Sequence, residues 1–312
     1  MSLVELALKK LQETRRAVGG ASERDAPFGV IREVTAPAPV TADGKPLPPR
    51  RIVHLDRTAL IRAGFLPPDH KQRQIADQFR HVKRPLLAAA LGRGVEALPN
   101  GRMIMVASSL PGEGKTFVSV NLALSMSLER DISVVLADAD VAKPHISRLF
   151  GVDGEPGLLE ALQDERLDIE SLILPTDIPK FSVLPAGAPI DTATELLASQ
   201  RMQTIVARLA TSQDRSRVVI FDSPPLLLTS ESRVLAQPMG QVVLVVQAGK
   251  TAQRAVLDAI RCLGEHKPIS LMLNQSEAIS EAGYYYRDGS YGEYARYGGE
   301  RPSVENIHGA AR

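Results

Sequence analysis

The stretch from Arg102 to Thr116, RMIMVASSLPGEGKT, constrains the fold of this chain more than any other part. Its apolar run is too short for a typical helix and ends at two serines and a proline-glycine turn. GlyLysThr then opens a segment with helical apolar spacing. This order predicts a strand, a phosphate-binding loop and a helix. The alternative is an ordinary strand-turn-helix connection whose lysine is only a surface charge.

The loop contains the residue types that bind a nucleoside triphosphate. Gly112 and Gly114 allow backbone NH groups to turn toward phosphates, and the helix N-terminus adds partial positive charge. Lys115 is expected to reach the β and γ phosphates, and the Thr116 hydroxyl to bind Mg²⁺. Ser109 stands where the generic pattern has its first glycine.

Two further apolar runs end in aspartates. The run at 132–137 precedes Asp138 and Asp140, and the run at 217–221 precedes Asp222. Because the carboxyl ends of parallel strands meet at the ligand-binding edge of a sheet, these carboxylates should face the loop. We predict catalytic roles for Lys115, Asp138 and Asp140, with Asp138 as provisional base, and Mg²⁺ binding by Thr116, Asp138 and Asp222. The alternative is that one of the first two aspartates only caps a turn.

Strands alternating with helices predict an α/β fold, with a mostly parallel sheet covered by helices on both faces. Asn274 follows the last predicted strand, where its amide could read the adenine edge; a turn residue is the alternative. The other predicted strands are 181–184, 242–246 and 269–273, and helices are predicted at 157–162, 194–209 and 252–263. The predicted ATP-binding residues are Ser108, Pro111, Gly112, Glu113, Gly114, Lys115, Thr116, Phe117 and Asn274.

Composition narrows the classes of function. A formal net charge of +1 argues against nucleic acid or an anionic membrane as a bulk electrostatic partner. The single cysteine, Cys262, excludes an internal disulfide and fits a reducing cytoplasm. No apolar run approaches the roughly 18 residues that span a membrane. Glu5 interrupts the apolar residues of the N-terminus, so no signal peptide is expected.

The chain divides into four predicted parts. Residues 1–18 form an amphipathic helix that docks on a partner or packs on its own domain, and 19–51 form a disordered linker rich in proline and alanine. Residues 52–276 form the phosphate-loop domain, and 277–312 form a flexible tyrosine-rich tail.

A helix is predicted from His70 to Arg84, stopped by Pro85. It carries a charged stripe of Asp77, Arg80 and Lys83. Such a stripe is either a solvated face or a set of salt bridges between subunits.

All six tyrosines of the chain fall within 14 residues near the C-terminus. Their neighbours are glycine, arginine and acids rather than apolar residues at a fixed period, so exposed tyrosines are expected. In a chain with a nucleotide site, they are available as phosphate acceptors. The alternative is an aromatic tail that only binds a partner. The predicted acceptors are Tyr284, Tyr285, Tyr286, Tyr291, Tyr294 and Tyr297.

Four motifs in this order resemble those of the bacterial tyrosine kinases: SSLPGEGKT at 108–116, DAD at 138–140, FDSPP at 221–225 and the tyrosine cluster. The resemblance runs from about Ile75 to the tail and implies a P-loop NTPase fold with Walker A, A′ and B motifs. Ser108 matches a serine that the family places three residues before the proline. Leu110 stands where partition ATPases carry an extra lysine.

The leader LVELALKKL, the proline-rich linker and KRPLL at 83–87 further resemble the exosortase-associated autokinases of exopolysaccharide gene clusters. The resemblance implies an ATP- and Mg²⁺-dependent tyrosine autokinase that phosphorylates its own tail and regulates exopolysaccharide polymerisation or export. A P-loop ATPase switch, or a nucleotide-binding adaptor of a membrane polysaccharide assembly complex without tyrosine transfer, is the alternative.

The resemblance also implies partners. They are a membrane-embedded polysaccharide chain-length determinant protein, a tyrosine phosphatase and further copies of the chain in a ring. The chain would then be cytoplasmic and peripheral at the inner face of the plasma membrane. The family's oligomerisation motif is matched by Asp77, Arg80 and Lys83 with two conservative changes. Ala142 stands where arginine is common in the family, and Lys143 follows it.

Overall fold

The computed structural model describes residues 51–65, 72–212, 214–264 and 266–276. Contacts between residues divide the chain into two units, Met1–Ser276 and Glu277–Arg312, and all described residues belong to the first unit. The predicted helix at 1–18, the linker up to residue 50 and the tyrosine-rich tail lie outside the described residues.

The described residues form one sheet of seven strands in the order β3-β4-β2-β5-β1-β6-β7. All neighbouring pairs are parallel except β3 with β4, so the prediction of a mostly parallel α/β sheet is confirmed. The strands are β1 (Met103–Ser108), β2 (Ser133–Asp138), β3 (Leu174–Pro175), β4 (Phe181–Leu184), β5 (Arg217–Asp222), β6 (Gln241–Gln247) and β7 (Ile269–Asn274).

Strand β1 lies near the middle of the sheet and supplies side chains to both faces. Ile104 and Val106 pack into the core on one face, whereas Met103, Met105 and Ala107 pack into the core on the other. All five side chains are fully buried. Burial on both faces explains why the strand is a continuous apolar run instead of an alternating one.

Helices cover both cores. Helix α3, which follows the phosphate-binding loop, packs on β1, β2 and β5, and α2 packs on α3. None of the described helices is long and apolar enough to cross a membrane. The helices are α1 (Arg57–Arg62), α2 (Gln72–Leu91), α3 (Lys115–Ser127), α4 (His145–Leu149), α5 (Leu158–Gln163), α6 (Ile169–Leu172), α7 (Ala193–Leu197), α8 (Gln200–Ala210), α9 (Glu231–Ala236) and α10 (Gln253–Leu263).

Helix α2 does not stop at Pro85, so that prediction was wrong. The helix continues to Leu91 with an exposed Pro85 inside it. A proline within a helix costs about 3 kcal/mol because it removes a hydrogen bond and crowds the preceding turn. Leu86 and Leu87 are buried just beyond it, and burying each leucine contributes roughly 1.5–3 kcal/mol. Packing of these two side chains therefore offsets the local cost.

The single helix predicted at 194–209 is two helices, α7 and α8, and that prediction also needs correction. Ser199 lies between them with extended backbone angles, φ −79° and ψ 161°. Its hydroxyl donates to the carbonyl of Leu196 at 2.6 Å. This local bond competes with continued helix formation, as serine side chains commonly do.

Lys83 does not belong to an exposed charged stripe. Its side chain is buried, and its Nζ donates to the carbonyl of Ser125 at 2.7 Å and pairs with Glu129 at 2.7 Å. Asp77 and Arg80 are exposed and pair with each other at 2.7 Å. The amino group of Lys83 is thus bonded within its own chain, and its part in an intersubunit contact stays a prediction.

Replacing Lys83 with alanine is expected to lower the free energy of unfolding by about 1–3 kcal/mol, because the Ser125 carbonyl loses a buried charged donor. The matched variant Arg80→Ala removes an exposed cation from the same helix and should change the free energy of unfolding by less than about 0.5 kcal/mol. Urea unfolding measures the free energy of unfolding of both variants. Equal effects of the two substitutions would contradict the inward placement of Lys83.

Residues 52–65 were predicted to belong to the ordered domain, but no helix and no contact with the site were predicted in them. Val53 forms an isolated bridge with Thr176 beside strand β3, at the edge of the sheet. After α1, the chain reaches Phe65, whose carbonyl accepts a hydrogen bond from Asn121 of α3 at 2.9 Å. These contacts carry the segment from the sheet edge to the helix that follows the phosphate-binding loop.

Candidate active site

The phosphate-binding loop connects β1 to α3 and has the predicted backbone form. Gly112 and Gly114 have φ angles of +82° and +90°, in the left-handed region that favours glycine. A Cβ at Gly112 would meet no atom within 4 Å, whereas a Cβ at Gly114 would lie 2.1 Å from Nδ2 of Asn274. Gly114 is therefore favoured by its conformation, and a side chain there would also displace the amide of Asn274.

Side chains from within the loop hold its shape. The Ser108 hydroxyl donates to the carbonyl of Leu110 at 2.8 Å, and the NH of Leu110 donates to the Glu113 carboxylate at 2.8 Å. Glu113 is buried and also accepts a hydrogen bond from the Thr251 hydroxyl. Glu113 thus ties the loop to the segment that follows β6 and does not face the ligand space.

The chain after β7 also contacts the loop. Asn274 donates to the carbonyl of Glu113 at 2.9 Å, and Gln275 donates to the carbonyl of Gly112 at 3.2 Å. Asn274 was predicted to read the adenine edge, but its amide donor is bound to the loop backbone here. The contact supports the loop, and a base-reading role stays a prediction.

Lys115 is the first residue of α3 and forms an ion pair with Asp140, with Nζ 2.8 Å from Oδ2. Both side chains are largely buried. Burial opposes the charge on Lys115, but Asp222 and Asp140 outweigh it, so the pKa of the lysine is raised above its usual value. The lysine therefore remains a cation.

Asp222 ends β5 and contacts the first turn of α3. Its carboxylate accepts hydrogen bonds from the hydroxyls of Thr116 at 2.8 Å and Ser119 at 2.9 Å. Complete burial raises the pKa of Asp222, while Lys115 and the two hydroxyls oppose this shift. The prediction that Asp222 would face the loop is confirmed by the Thr116 contact.

Asp138 ends β2 in register with Asp222 on the neighbouring strand. Its Oδ2 accepts hydrogen bonds from the NH and the hydroxyl of Ser147, both at 2.8 Å. Its Oδ1 is buried and has no hydrogen-bond partner among the described residues. Burial raises the pKa of Asp138 to about 7, the Ser147 hydrogen bonds oppose the shift, and the charge of Asp222 adds to it.

The described residues contain no group of three or more His, Cys, Asp or Glu side chains that could hold a metal ion by themselves. The Thr116–Asp222 pair and the free Oδ1 of Asp138 nevertheless fit Mg²⁺, which binds few protein carboxylates together with phosphate oxygens. The residues present thus suit a metal that arrives with a nucleotide.

A cavity of about 500 Å³ opens over this centre, a size typical of small-molecule sites. Five of the predicted residues do not line the cavity: Ser108, Glu113, Asp138, Asp222 and Asn274. The first four are buried. Ser108, Glu113 and Asn274 instead form hydrogen bonds that support the loop. Predicted residues that line the cavity are Pro111, Gly112, Gly114, Lys115, Thr116, Phe117 and Asp140.

Three polar residues of the site were missed by sequence reasoning. Ser119 lies one turn after Thr116 on α3, so helical spacing could have found it. Ser147 and Thr251 lie in segments without a motif, and only the folded chain brings them to Asp138 and Glu113. The tail tyrosines lie outside the described residues.

Comparison with known proteins gives a consistent family. A model described as ParA, NUBPL iron-transfer P-loop NTPase, matches residues 100–265. The tyrosine-protein kinase YwqD of Bacillus subtilis (strain 168) is 27% identical over 67% of this chain and 86% of its own length. The putative tyrosine-protein kinase EpsB of Ralstonia nicotianae is 30% identical over 65% of this chain, which spans only 27% of that relative.

A solved structure supports the same family assignment. The kinase domain of the Escherichia coli tyrosine kinase ETK matches 68% of this chain and 79% of its own, with a TM-score of 0.57 and 26% identity.

Proposed function

This chain belongs to the ParA family of P-loop NTPases, among the bacterial tyrosine-protein kinases, and we propose that it transfers the γ-phosphoryl group of ATP to tyrosines of its own C-terminal segment. The observation that carries the proposal is the pairing of Lys115 with Asp140 and of Thr116 with the buried Asp222, since Lys115, Thr116 and Asp140 line one cavity. Both loop residues that contact phosphate and metal are thereby oriented by strand-end carboxylates.

In this reaction, the tyrosine oxygen forms a bond to the γ-phosphorus, the bond to the β-phosphate oxygen breaks, and ADP leaves. Lys115 balances the charge on the transferred group, and Asp140 holds the lysine in position. Mg²⁺, held by Thr116 and Asp222, would neutralise the phosphate oxygens when bound, which leaves the free Oδ1 of Asp138 for the proton. Because the transition state is loose, charge neutralisation contributes more than the base.

Asp138 is proposed to accept the phenolic proton on its free Oδ1; because this oxygen is buried behind the cavity lining, the proton would pass through one bridging water. A pKa of about 7 suits a group that exchanges protons near neutral pH. Ser147 occupies the other oxygen, so only one oxygen remains for proton transfer. Asp140 is the alternative base, because it is the strand-end carboxylate that lines the cavity.

The test is mapping of phosphate on the purified full chain after incubation with ATP and Mg²⁺. Mass spectrometry is expected to place phosphate on the tyrosine cluster, and a full-length variant with all six tyrosines changed to phenylalanine should carry none. Phosphate on neither protein, with ATP still bound, would contradict tyrosine transfer. The six predicted acceptors are Tyr284, Tyr285, Tyr286, Tyr291, Tyr294 and Tyr297.

The second candidate is an ATPase switch without tyrosine transfer, favoured by the ParA description of the matching family model. ATP hydrolysis without labelled tyrosine would support it. Leu110, in place of the extra lysine of partition ATPases, supports the kinase instead. The iron-transfer part of that description has little support, since the chain holds one cysteine and protein-bound iron–sulfur clusters commonly use four.

The physiological context is proposed from the family resemblance of the leader, the proline-rich linker and residues 83–87. We place the chain at the inner face of the plasma membrane through a membrane-embedded polysaccharide chain-length determinant protein, with a tyrosine phosphatase reversing its modification. Its role would be regulation of exopolysaccharide polymerisation or export. Ring assembly remains proposed through Asp77, Arg80 and Lys83, of which Asp77 and Arg80 are exposed.

A further inference from the structure

We propose that Phe65, Pro225 and Leu228, apolar residues that line the catalytic cavity, form the binding site for the phenol ring of the acceptor tyrosine. All three residues line the same cavity as Lys115 and Asp140. The inference rests on the proposed kinase function and assigns the part of the site that selects the acceptor. We call these three residues the apolar wall.

The strand order places Pro225 and Leu228 of the apolar wall on the γ-phosphate side of the loop. Strand β1 lies between β5 and β6, so the loop has the β5 and β2 ends on one side and the β6 and β7 ends on the other. Lys115, which reaches the terminal phosphates, pairs with Asp140 beyond β2. Asn274 contacts the loop from the β7 end.

Leu228 belongs to the segment after β5, on the same side as the Lys115–Asp140 pair. An acceptor must approach the γ-phosphorus opposite the leaving ADP, because attack is in line. The apolar wall therefore lies where the acceptor side chain arrives, and the β6 and β7 side is left for the rest of the nucleotide.

Hydrogen bonds to neighbouring elements hold the apolar wall in place. The NH of Leu226 donates to the carbonyl of Ser108 at 2.8 Å, and the NH of Leu227 donates to the carbonyl of Ser109 at 3.2 Å. These bonds tie the segment that carries Pro225 and Leu228 to the phosphate-binding loop. Phe65 is fixed separately by the Asn121 bond to its carbonyl.

The chemistry of the apolar wall favours an aromatic ring. Leu228 is 63% exposed, so an apolar side chain stands open in the cavity that the cationic Lys115 also lines. A tyrosine ring could cover this surface while its hydroxyl points toward the phosphates, because the ring is apolar and its far end is polar. A serine or threonine side chain has no ring to cover it. The apolar wall is thus expected to select tyrosine over shorter hydroxyl side chains.

The test uses the full chain with all six tyrosines changed to phenylalanine, so that an added peptide with the sequence of residues 281–299 is the sole tyrosine acceptor. Leu228→Ala and Phe65→Ala are introduced separately into this background. Each is expected to raise KM for the peptide about 10-fold, since small losses of apolar contact in a substrate pocket have effects of this size. The dissociation constant of an ATP analogue should change less than about twofold in the same proteins.

Leu271→Ala is the matched control, because Leu271 is 60% exposed on β7 and does not line the cavity. Its peptide KM should equal that of the parent. Leu228→Met should keep most of the peptide affinity, since it retains an apolar side chain of similar volume. Circular dichroism melting curves confirm folding of each variant.

Two results would overturn the apolar wall as an acceptor site. One is an unchanged peptide KM in both alanine variants. The other is a parallel loss of ATP affinity, which would assign the apolar wall to the nucleotide. Failure of the proposed function itself is distinguishable, because the parent protein would then label no tyrosine in the peptide.

Discussion

Replacing Lys115 with methionine is expected to lower tyrosine phosphorylation by at least about 100-fold, the usual effect of removing one preorganised charge from a transition state. The lysine forms the 2.8 Å ion pair with Asp140 and is the loop cation expected to reach the γ-phosphate. The measurement is the initial rate of phosphate incorporation from labelled ATP. Arg254→Met is the matched control, because it exchanges a cation that is 92% exposed on α10 for methionine.

The same substitution should also affect the nucleotide-free protein. Without Lys115, the buried Asp140 and Asp222 lose the charge that balances them. The pKa of Asp222 should then rise further, since Lys115 opposes the effect of burial on this group. An active Lys115→Met protein with the rate of Arg254→Met would contradict the assignment of Lys115.

Asp138→Asn is expected to lower the rate of phosphotransfer by about 100-fold or more, because the variant lacks the general base. The same substitution is expected to stabilise the metal-free protein against unfolding at pH 8. The carboxyl is fully buried, and its pKa in the folded state is about 7, against 3.8 as the ordinary value. Above pH 7, folding must therefore bury its charge, a cost that asparagine removes. We expect a gain of roughly 1–3 kcal/mol in the free energy of unfolding.

The sign of the pH dependence follows from proton binding. Between about pH 4 and pH 7, the folded wild type binds the Asp138 proton, while the unfolded chain has released it. The wild type therefore loses stability as pH rises through this range, and the advantage of Asp138→Asn should disappear near pH 4. Urea unfolding of both proteins in EDTA at pH 4.5, 6 and 8 measures this difference.

Asp140→Asn is the companion variant for the activity measurement. If Asp138→Asn retains the wild-type rate, Asp138 is not the base; a loss of rate in Asp140→Asn then fits either proton transfer or the loss of its pairing with Lys115. If the stability of Asp138→Asn does not change with pH relative to the wild type, the buried carboxyl does not titrate as described.

The buried strands were predictable from sequence because burial on both faces requires continuous apolar, β-branched runs. The strand at 181–184 has the predicted bounds, and the run at 269–273 extends by one residue. Strand β3 has two residues and α1 has six, so neither is long enough to show a periodic pattern of apolar residues in the sequence. The predictions at Pro85 and Ser199 were wrong for opposite reasons. At Pro85, packing of the following leucines outweighs the helix-breaking effect of the proline. At Ser199, a local hydrogen bond interrupts a helix that the apolar periodicity had predicted to continue.

The chemistry of the loop was readable because it depends on neighbours in sequence. GlyLysThr at a strand-to-helix junction, with glycines that adopt positive φ, specifies a phosphate site independently of how the rest of the chain folds. The strand-end carboxylates could be placed at the same edge for a related reason, since parallel strands carry their carboxyl ends together.

The sequence by itself therefore determined the α/β fold, the phosphate-binding loop and the edge of the sheet at which the carboxylates gather. Tertiary structure alone decided which carboxylate lines the cavity, which lysine lies inside the subunit, and which apolar residues stand beside the reactive centre. The physical reason is separation along the chain. Lys83 meets Ser125, Thr116 meets Asp222 and Phe65 reaches α3 through contacts between residues 42 to 106 positions apart, and no local pattern records these distances.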